Sequence, residues 1–545
     1  MLDVSDVVGD LGWYHAAVGA LTVLRAFPTS WTLLVVPFIV PDVEHWCSKP
    51  QAAPFNNWTE QQWKETAIPL LNGSLGLQYD SCNSYAILDE MSGLLDGSKI
   101  EPCQSWTFNE SVPGSSAVPE WNLVCSNDWQ RSAMQSVVFV GSLVGALCIG
   151  LLSDRFGRRF MFFVSTLAVI VFGSAAAGSP SVTVFNALRF CSSMCVAGIQ
   201  TTAAALFTEI VRARHRMLLN VGFSLGFTLP TLLLPGLAYL LESWKLLQLS
   251  AGVSGILLLP FLFIVQESPR WLISRHKEYE AQKAIKKILK INRKPIPDME
   301  CVMKELVEKV KLDAKLTSTG PAEILRHSRF RANTACLFVI WFCDNFFMYA
   351  TALSSVHIGN SPFISFALSA AAEIPAGLVS FPVVRYLKRR RSQSVFLLLA
   401  GVAAIATSLL PLDDFWLRLC LNMTCRFILV ISAAVKWVYT MEIFPTAARG
   451  FGFSCCFTMG RIGGIVAPFM RDLGKHVHFT APSLAMGAAG VLGATCACFL
   501  PETQGAALPD TFEEADALGT GRSTRYSVEL NDYDKKDEGL KTDSV

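Results

Sequence analysis

The sequence predicts an all-α membrane protein of twelve transmembrane helices arranged as two parallel six-helix repeats. Three observations predict it: a strongly apolar composition, a dozen apolar runs of bilayer length, and polar punctuation that recurs at a nearly constant offset. Of 545 residues, 52% are apolar and 17% charged, and mean hydropathy is +0.39, whereas soluble domains carry about 25% charge. The apolar runs lie at 15–40, 131–153, 160–178, 182–207, 217–240, 247–265, 333–353, 361–384, 394–411, 415–441, 450–471 and 481–500. Each approaches the roughly 20 residues that a helix needs to cross about 30 Å of hydrocarbon. Lipid offers no partner to free backbone groups, so runs of this length must be helices. Lys plus Arg is 46 against 44 for Asp plus Glu, a balance that points to no nucleic-acid partner.

Taken in order, residues 1–14 are a cytoplasmic N-terminus, and Asp3, Asp6 and Asp10 stand where a cleavable signal would need basic residues. The N-terminal half spans 15–265 and contains a large loop, 43–130. That loop carries the sequons at Asn57, Asn72 and Asn109 and the cysteines Cys47, Cys82, Cys103 and Cys125. Glycan acceptors with an even cysteine count point to the extracellular side and two disulfides, three pairings being open. The opposite loops are basic, at Arg155, Arg158 and Arg159, at Arg212, Arg214 and Arg216, at Arg270, Arg275 and Lys277, and at Arg385 and Lys388 to Arg391. Excess Lys and Arg mark the cytoplasmic face, so both termini fall inside. The loop 266–332 separates the halves, and its segment Glu278 to Ile291 spaces Ala281, Ala284, Ile285, Ile288 and Leu289 as one face of an amphipathic helix. The C-terminal half spans 333–500; the tail, 501–545, is polar and expected to be disordered, with a terminal Asp543-Ser544-Val545 suited to a carboxylate-binding scaffold.

Glu209 with Arg216 and Glu442 with Arg449 repeat at an offset of 233, and Glu267 and Glu502 at 235. A six-span unit enters the membrane twice in the same orientation, which makes a parallel repeat about the membrane normal. Such a duplication puts a substrate site near mid-membrane between the halves.

The loop Gly150-x-x-x-Asp154-Arg155-x-Gly157-Arg158-Arg159 resembles the signature of the major facilitator superfamily. Glu267-Ser-Pro-Arg-Trp-Leu272, Glu442-Ile-Phe-Pro-Thr-Ala-Ala-Arg449, Pro501-Glu-Thr-x-Gly505 and Gly236-x-Ala-Tyr239 together resemble the organic cation, anion and carnitine transporter family over about residues 10–510. The resemblance implies a multi-pass plasma-membrane carrier working by alternating access. It assigns Asp154, Arg155, Arg158, Glu209, Arg216, Glu267, Arg270, Glu442 and Arg449 to a cytoplasmic gate. Val384 and Leu387 replace the aspartate and glycine of the second-half loop, which predicts an asymmetric gate.

Charges inside spans usually face a partner or a watery cavity. Here they are Arg25, Asp344, Glu373, Lys436 and Arg461, with positive charge in excess. The position matched by Arg461 is basic in anion and carnitine members, which favours an anionic or zwitterionic substrate. A competing account pairs Asp344 with Lys436 or Arg461 as structure, and a third makes Asp344 the anchor for a cation. Phe223, Trp341, Phe342, Phe346, Tyr349 and Trp437 match the cavity lining of the family, with Met348 in place of a tyrosine. The expected partners are a small organic ion, the lipid bilayer, and a coupled sodium, proton or counter-anion.

No His-Glu-x-x-His or Gly-x-x-x-x-Gly-Lys-Ser/Thr pattern occurs, so neither an enzyme nor ATP-driven transport is expected, and no cofactor. The Gly460-x-x-Gly463-Gly464 run reads as close helix packing. A non-transporting receptor on the carrier scaffold is the alternative from another class, motivated by the large loop and the altered second-half gate.

Overall fold

The computed structural model describes residues 3–9, 11–50, 55, 58–73, 76–89, 94–109, 115–212, 217–316, 328–359, 361–411, 414–445, 448–506, 508–509 and 512–518. Asn57, Arg216 and Asp543 to Val545 lie outside the described residues, as do the side chains of Asn72 and Phe223. Ten helices among the described residues are long and apolar enough to cross a membrane, from Cys125–Phe156 to Ala481–Phe499. The other two expected spans are present in other forms. The first runs as Trp13–Leu24, Ala26–Leu34 and Val36–Ile39, joined through helical Arg25 and Val35. The fifth is Met217–Leu241, with Pro230 and Pro235 inside it.

The repeat predicted from spacing is visible as duplicated geometry. Glu267 accepts from the backbone N–H of Arg158 at 2.8 Å, at the start of the third span. Glu502 accepts from the N–H of Arg389 at 2.8 Å, at the start of the ninth. A carboxylate there satisfies free N–H groups and complements the positive end of the helix dipole. The side chains repeat too: Arg158 lies 3.5 Å from Glu209, and Arg389 lies 3.2 Å from Glu442. Glu442 is thus matched to Arg389, a residue of the duplicated loop, while Arg449 donates to the Phe444 carbonyl.

Gly157 explains one departure between the halves. Its φ is +107°, and a Cβ there would stand 2.5 Å from Glu267 Oε2. Its counterpart Leu387 has φ −97°, an extended conformation open to any residue. Gly157→Ala is therefore expected to destabilise the protein by about 1–3 kcal/mol through backbone strain, whereas Leu387→Ala changes little. Thermal unfolding of the detergent-solubilised chain checks the pair.

The large loop folds on three short antiparallel strand pairs, the last two of them hairpins: His45–Cys47 with Trp106–Phe108, Leu70–Gly73 with Gly76–Tyr79, and Asn83–Asp89 with Leu94–Pro102. Of the three open pairings, the disulfides are Cys47–Cys103 and Cys82–Cys125, with Cα separations of 5.4 and 5.5 Å. Trp63 is buried beside Phe55 and Trp58 and donates to the Cys47 carbonyl at 2.8 Å. Asn109 donates to Glu44 at 2.9 Å.

Helix Glu278–Ile291 forms where its periodicity placed it, and its five spaced apolar residues are buried against the N-terminal half. Residues 519–545 of the tail lie outside the described residues; its described start is ordered. Phe512–Ala517 is a helix, Phe512 packs edge-on against Phe330 at 5.4 Å, and Asp516 accepts from the Phe330 N–H at 2.9 Å. Six residues are too few for a periodic signal, so only the contact with the base of the seventh span reveals it.

Candidate functional site

The loops on the basic face clamp each half internally. Arg158 pairs with Asp154 at 2.7 Å, Trp271 and Arg275 donate to the Asp154 carbonyl at 2.7 and 2.8 Å, and Arg159 donates to the Leu262 carbonyl at 2.7 Å. Burial pushes the Glu209 carboxyl up, against the pull of Arg158 and Arg270. Arg155 lies over the Phe156 ring at 5.6 Å. Glu442 accepts from Thr503 at 2.6 Å as well as from Arg389. These bonds tie the ends of spans belonging to the same half, so each half is held as one body.

The opposite face is different, because there the ion pairs join the two halves. Asp42, Asp128 and Arg131 come from the N-terminal half; His357, Arg471 and Lys475 come from the C-terminal half. Arg471 lies 2.7 Å from Asp42 and 2.8 Å from Asp128, Lys475 lies 3.3 and 3.1 Å from the same two, and His357 lies 2.9 Å from Asp42. Arg131 closes the set at 2.8 and 2.9 Å. Desolvation raises the Asp42 carboxyl, but His357, Arg131 and Lys475 outweigh it and hold it well below the usual carboxylate range. Sequence reading missed this cluster, since its members stand at span ends where charge is ordinary and its pairs between the halves lie hundreds of residues apart.

Between these faces, the membrane-embedded charges resolve into pairs and a remainder. Asp344, fully buried, is paired with Lys436 and accepts from Ser432 at 2.8 Å. Lys436 also sits 4.5 Å above the Trp341 ring. Glu373 is paired with Arg426, a residue the sequence reading passed over, and accepts from Thr228 of the N-terminal half at 2.9 Å. Arg189, also passed over, is bonded to two neutral oxygens, Gln248 Oε1 and the Thr32 carbonyl, each at 2.6 Å. Long polar side chains within apolar runs were the available signal for both.

Arg461, like Arg189, meets a neutral acceptor and no carboxylate among the described residues, and its acceptor lies on the other half. Arg461 is 6% exposed, lies 4.7 Å over Phe457, and donates through Nη2 to Gln200 Oε1 at 3.0 Å. Its Nε and Nη1 are buried and have no hydrogen-bond partner among the described residues. The helix bearing it packs against the seventh span so closely that a Cβ on Gly463 would meet the Phe342 carbonyl at 2.4 Å. The glycine run therefore serves close packing, as its spacing predicted.

The candidate aromatic residues divide. Trp341 is enclosed by Trp437, Phe453 and Phe457 at 5.7, 5.5 and 6.0 Å and is buried, with Phe346, inside the C-terminal bundle. Phe342 and Tyr349 are half-buried; Phe342 stacks on Phe346 at 6.2 Å, and Tyr349 meets Phe139 of the other half at 4.6 Å. Met348 is half-buried, and its carbonyl accepts from Arg426 at 3.0 Å.

Comparison with known proteins places this arrangement. The family described as Sugar (and other) transporter matches residues 95–516. Solute carrier family 22 member 6-A of Xenopus laevis is 32% identical over 451 residues, covering 82% of this chain and 80% of its own. Solute carrier family 22 member 2 of Rattus norvegicus is 29% identical over 96% of this chain and 97% of its own. The human organic cation/carnitine transporter 2 is 29% identical over 94% and 93%. Among solved structures, the proton:xylose symporter bound to 6-bromo-6-deoxy-D-glucose superposes with a TM-score of 0.60 at 16% identity, covering 91% of this chain and 98% of that one, a likeness of fold. These relatives are transporters and not enzymes, and the chain is a multi-pass protein of the plasma membrane. With its duplicated clamps, six-plus-six spans and charged seam, the chain belongs to the solute carrier 22 family of the major facilitator superfamily.

Proposed function

We propose that the protein carries small organic anions or zwitterions across the plasma membrane by alternating access. The observation that carries this reading is Arg461. Asp344 and Glu373 each have a basic partner of their own, so the charge left over at mid-membrane is positive. A buried guanidinium with two unsatisfied nitrogens is unfavourable by several kcal/mol, and a carboxylate or sulfate relieves that with charge-assisted bonds. Half-buried Phe342, Tyr349 and Trp437 offer rings to an apolar body. The cation reading needs a free carboxylate, and Asp344 is occupied by Lys436.

The movement follows from where the ion pairs sit. The bonds on the cytoplasmic face hold each half rigid as the halves rock, and Asp154, Arg155, Arg158, Glu209, Glu267, Arg270, Glu442 and Arg449 form the cytoplasmic gate that closes when the outside is open. The Asp42–Arg471 cluster holds the extracellular ends together. Uptake of 6-carboxyfluorescein, tetraethylammonium and carnitine into expressing cells tests the reading; uptake of tetraethylammonium alone would overturn it.

Arg471→Ala removes contacts to both Asp42 and Asp128, and a shift of 1–3 kcal/mol in a two-state equilibrium is roughly 5–150-fold in population. Ser136 donates across the seam to the Ile465 carbonyl at 2.7 Å, and a membrane-impermeant thiol reagent is therefore expected to label Ser136→Cys about tenfold faster in the Arg471→Ala background. Because the Asp42 carboxyl is held low, its contribution to closure is complete above its ordinary range near 3.8 and lost only when pH falls through its lower folded value. Acidifying the medium to about pH 5 thus leaves this part of the latch intact.

A further inference from the structure

Arg461 does not hold its position alone. On one side its guanidinium lies against Phe457, one turn away on the same helix, at 4.7 Å. On the other, Nη2 donates to the side-chain oxygen of Gln200 at 3.0 Å. Gln200 belongs to the fourth span, Val182–Thr208, in the other half of the molecule. That helix has little freedom to turn, because a Cβ on Gly198 would stand 2.7 Å from Ser165 Oγ and 2.8 Å from Ile149. Thr202 is bonded back to the Gly198 carbonyl at 2.7 Å. The carbonyl of Gln200 is thus presented across the seam from a fixed position.

The chemistry of that one acceptor decides what the guanidinium can do. A neutral amide oxygen orients Arg461 without cancelling its charge, and leaves Nε and Nη1 for another acceptor. A carboxylate at the same position would make a buried ion pair of the kind already formed by Asp344 with Lys436 and by Glu373 with Arg426, and would neutralise the guanidinium. An apolar side chain would leave the charge but release its aim. We infer that Gln200 is a positioning residue that sets the charge selectivity of the carrier: it holds Arg461 across the seam by a neutral bond and so reserves its charge for an anionic group. The inference rests on the reading of Arg461 as substrate anchor. It also makes the substrate a competitor for a bond between the halves, since an anion drawing Arg461 toward itself loosens the link to the fourth span.

The test uses the full chain in cells, with surface biotinylation and uptake of 6-carboxyfluorescein, carnitine and tetraethylammonium. Gln200→Glu, nearly isosteric, is expected to raise the KM for the anion at least about tenfold, the scale of a hydrogen bond to a charged group. Maximal rate changes less, and the ratio of tetraethylammonium to anion uptake rises. Gln200→Met is expected to raise the anion KM by a smaller factor and to leave the cation-to-anion ratio near that of the wild type. A merely structural role for Gln200 would instead lower maximal rate and surface level for both variants alike. Unchanged KM and selectivity in both variants, in cells where Arg461→Ala removes anion uptake, would overturn the inference while leaving the anion reading intact. If Gln200→Glu fails to reach the surface, an unchanged anion KM in Gln200→Met overturns it. Wild-type cells that take up neither anion nor zwitterion would sink both.

Discussion

Arg461→Ala is expected to abolish saturable uptake of organic anions and zwitterions while leaving the protein at the cell surface. Truncating one side of a buried, hydrogen-bonded charge interaction costs about 2–5 kcal/mol of binding, so uptake at low substrate should fall by roughly a hundredfold. The fold should tolerate the change better than most buried charge deletions. Arg461 makes no ion pair among the described residues, so alanine strands no carboxylate; its loss removes one bond to Gln200 and the contact with Phe457. Uptake kinetics set against surface biotinylation check both halves of the claim. Retained anion uptake with an unchanged KM would remove Arg461 from the substrate site.

The opposite behaviour is expected at Asp344 and Lys436. Each is buried, and each is the other's counter-ion. Removing either partner leaves a lone charge in the membrane interior, a destabilisation of about 3–5 kcal/mol. Asp344→Asn and Lys436→Met should each lower the yield of folded protein at the surface for every substrate tested. The double replacement should recover much of it, because it strands no charge; double-mutant coupling of this kind is read from the non-additive part. The Ser432 hydroxyl that donates to Asp344 and the Gln393 amide that donates to Ser432 at 2.9 Å would then adjust around an amide. If Asp344→Asn instead spared expression and anion uptake but removed uptake of a cation, Asp344 would be a substrate anchor.

Much of this architecture was legible in the amino-acid sequence. Bilayer-length apolar runs, the nearly constant offset from Glu209 to Glu442 and from Glu267 to Glu502, and the five-residue apolar face of Glu278–Ile291 are local or periodic features, and helices in lipid must satisfy their own backbone. Periodicity needs length, so the six-residue helix at Phe512 escaped it. The first and fifth spans are broken at Arg25 and Val35 or carry internal prolines, yet remained readable because hydropathy integrates over about twenty residues.

Pairing is what the sequence could not decide. Composition shows that Asp344, Glu373, Lys436 and Arg461 lie in apolar runs, and the price of burying charge shows that they need partners. Which partner each takes depends on helix rotation and approach in space, and Arg426 entered the account only there. The disulfide pairing, the ion pair of Glu442 with Arg389, and the Asp42–Arg471 contact between the halves were settled in the same way. A single sequence therefore determined the membrane class, the duplication and the excess positive charge at mid-membrane, because these follow from composition and spacing along the chain. Only the tertiary structure decided that Asp344 and Glu373 are taken by Lys436 and Arg426 while Arg461 meets a neutral amide of the other half, because neutralisation falls off within a few ångströms and is set by which helices touch.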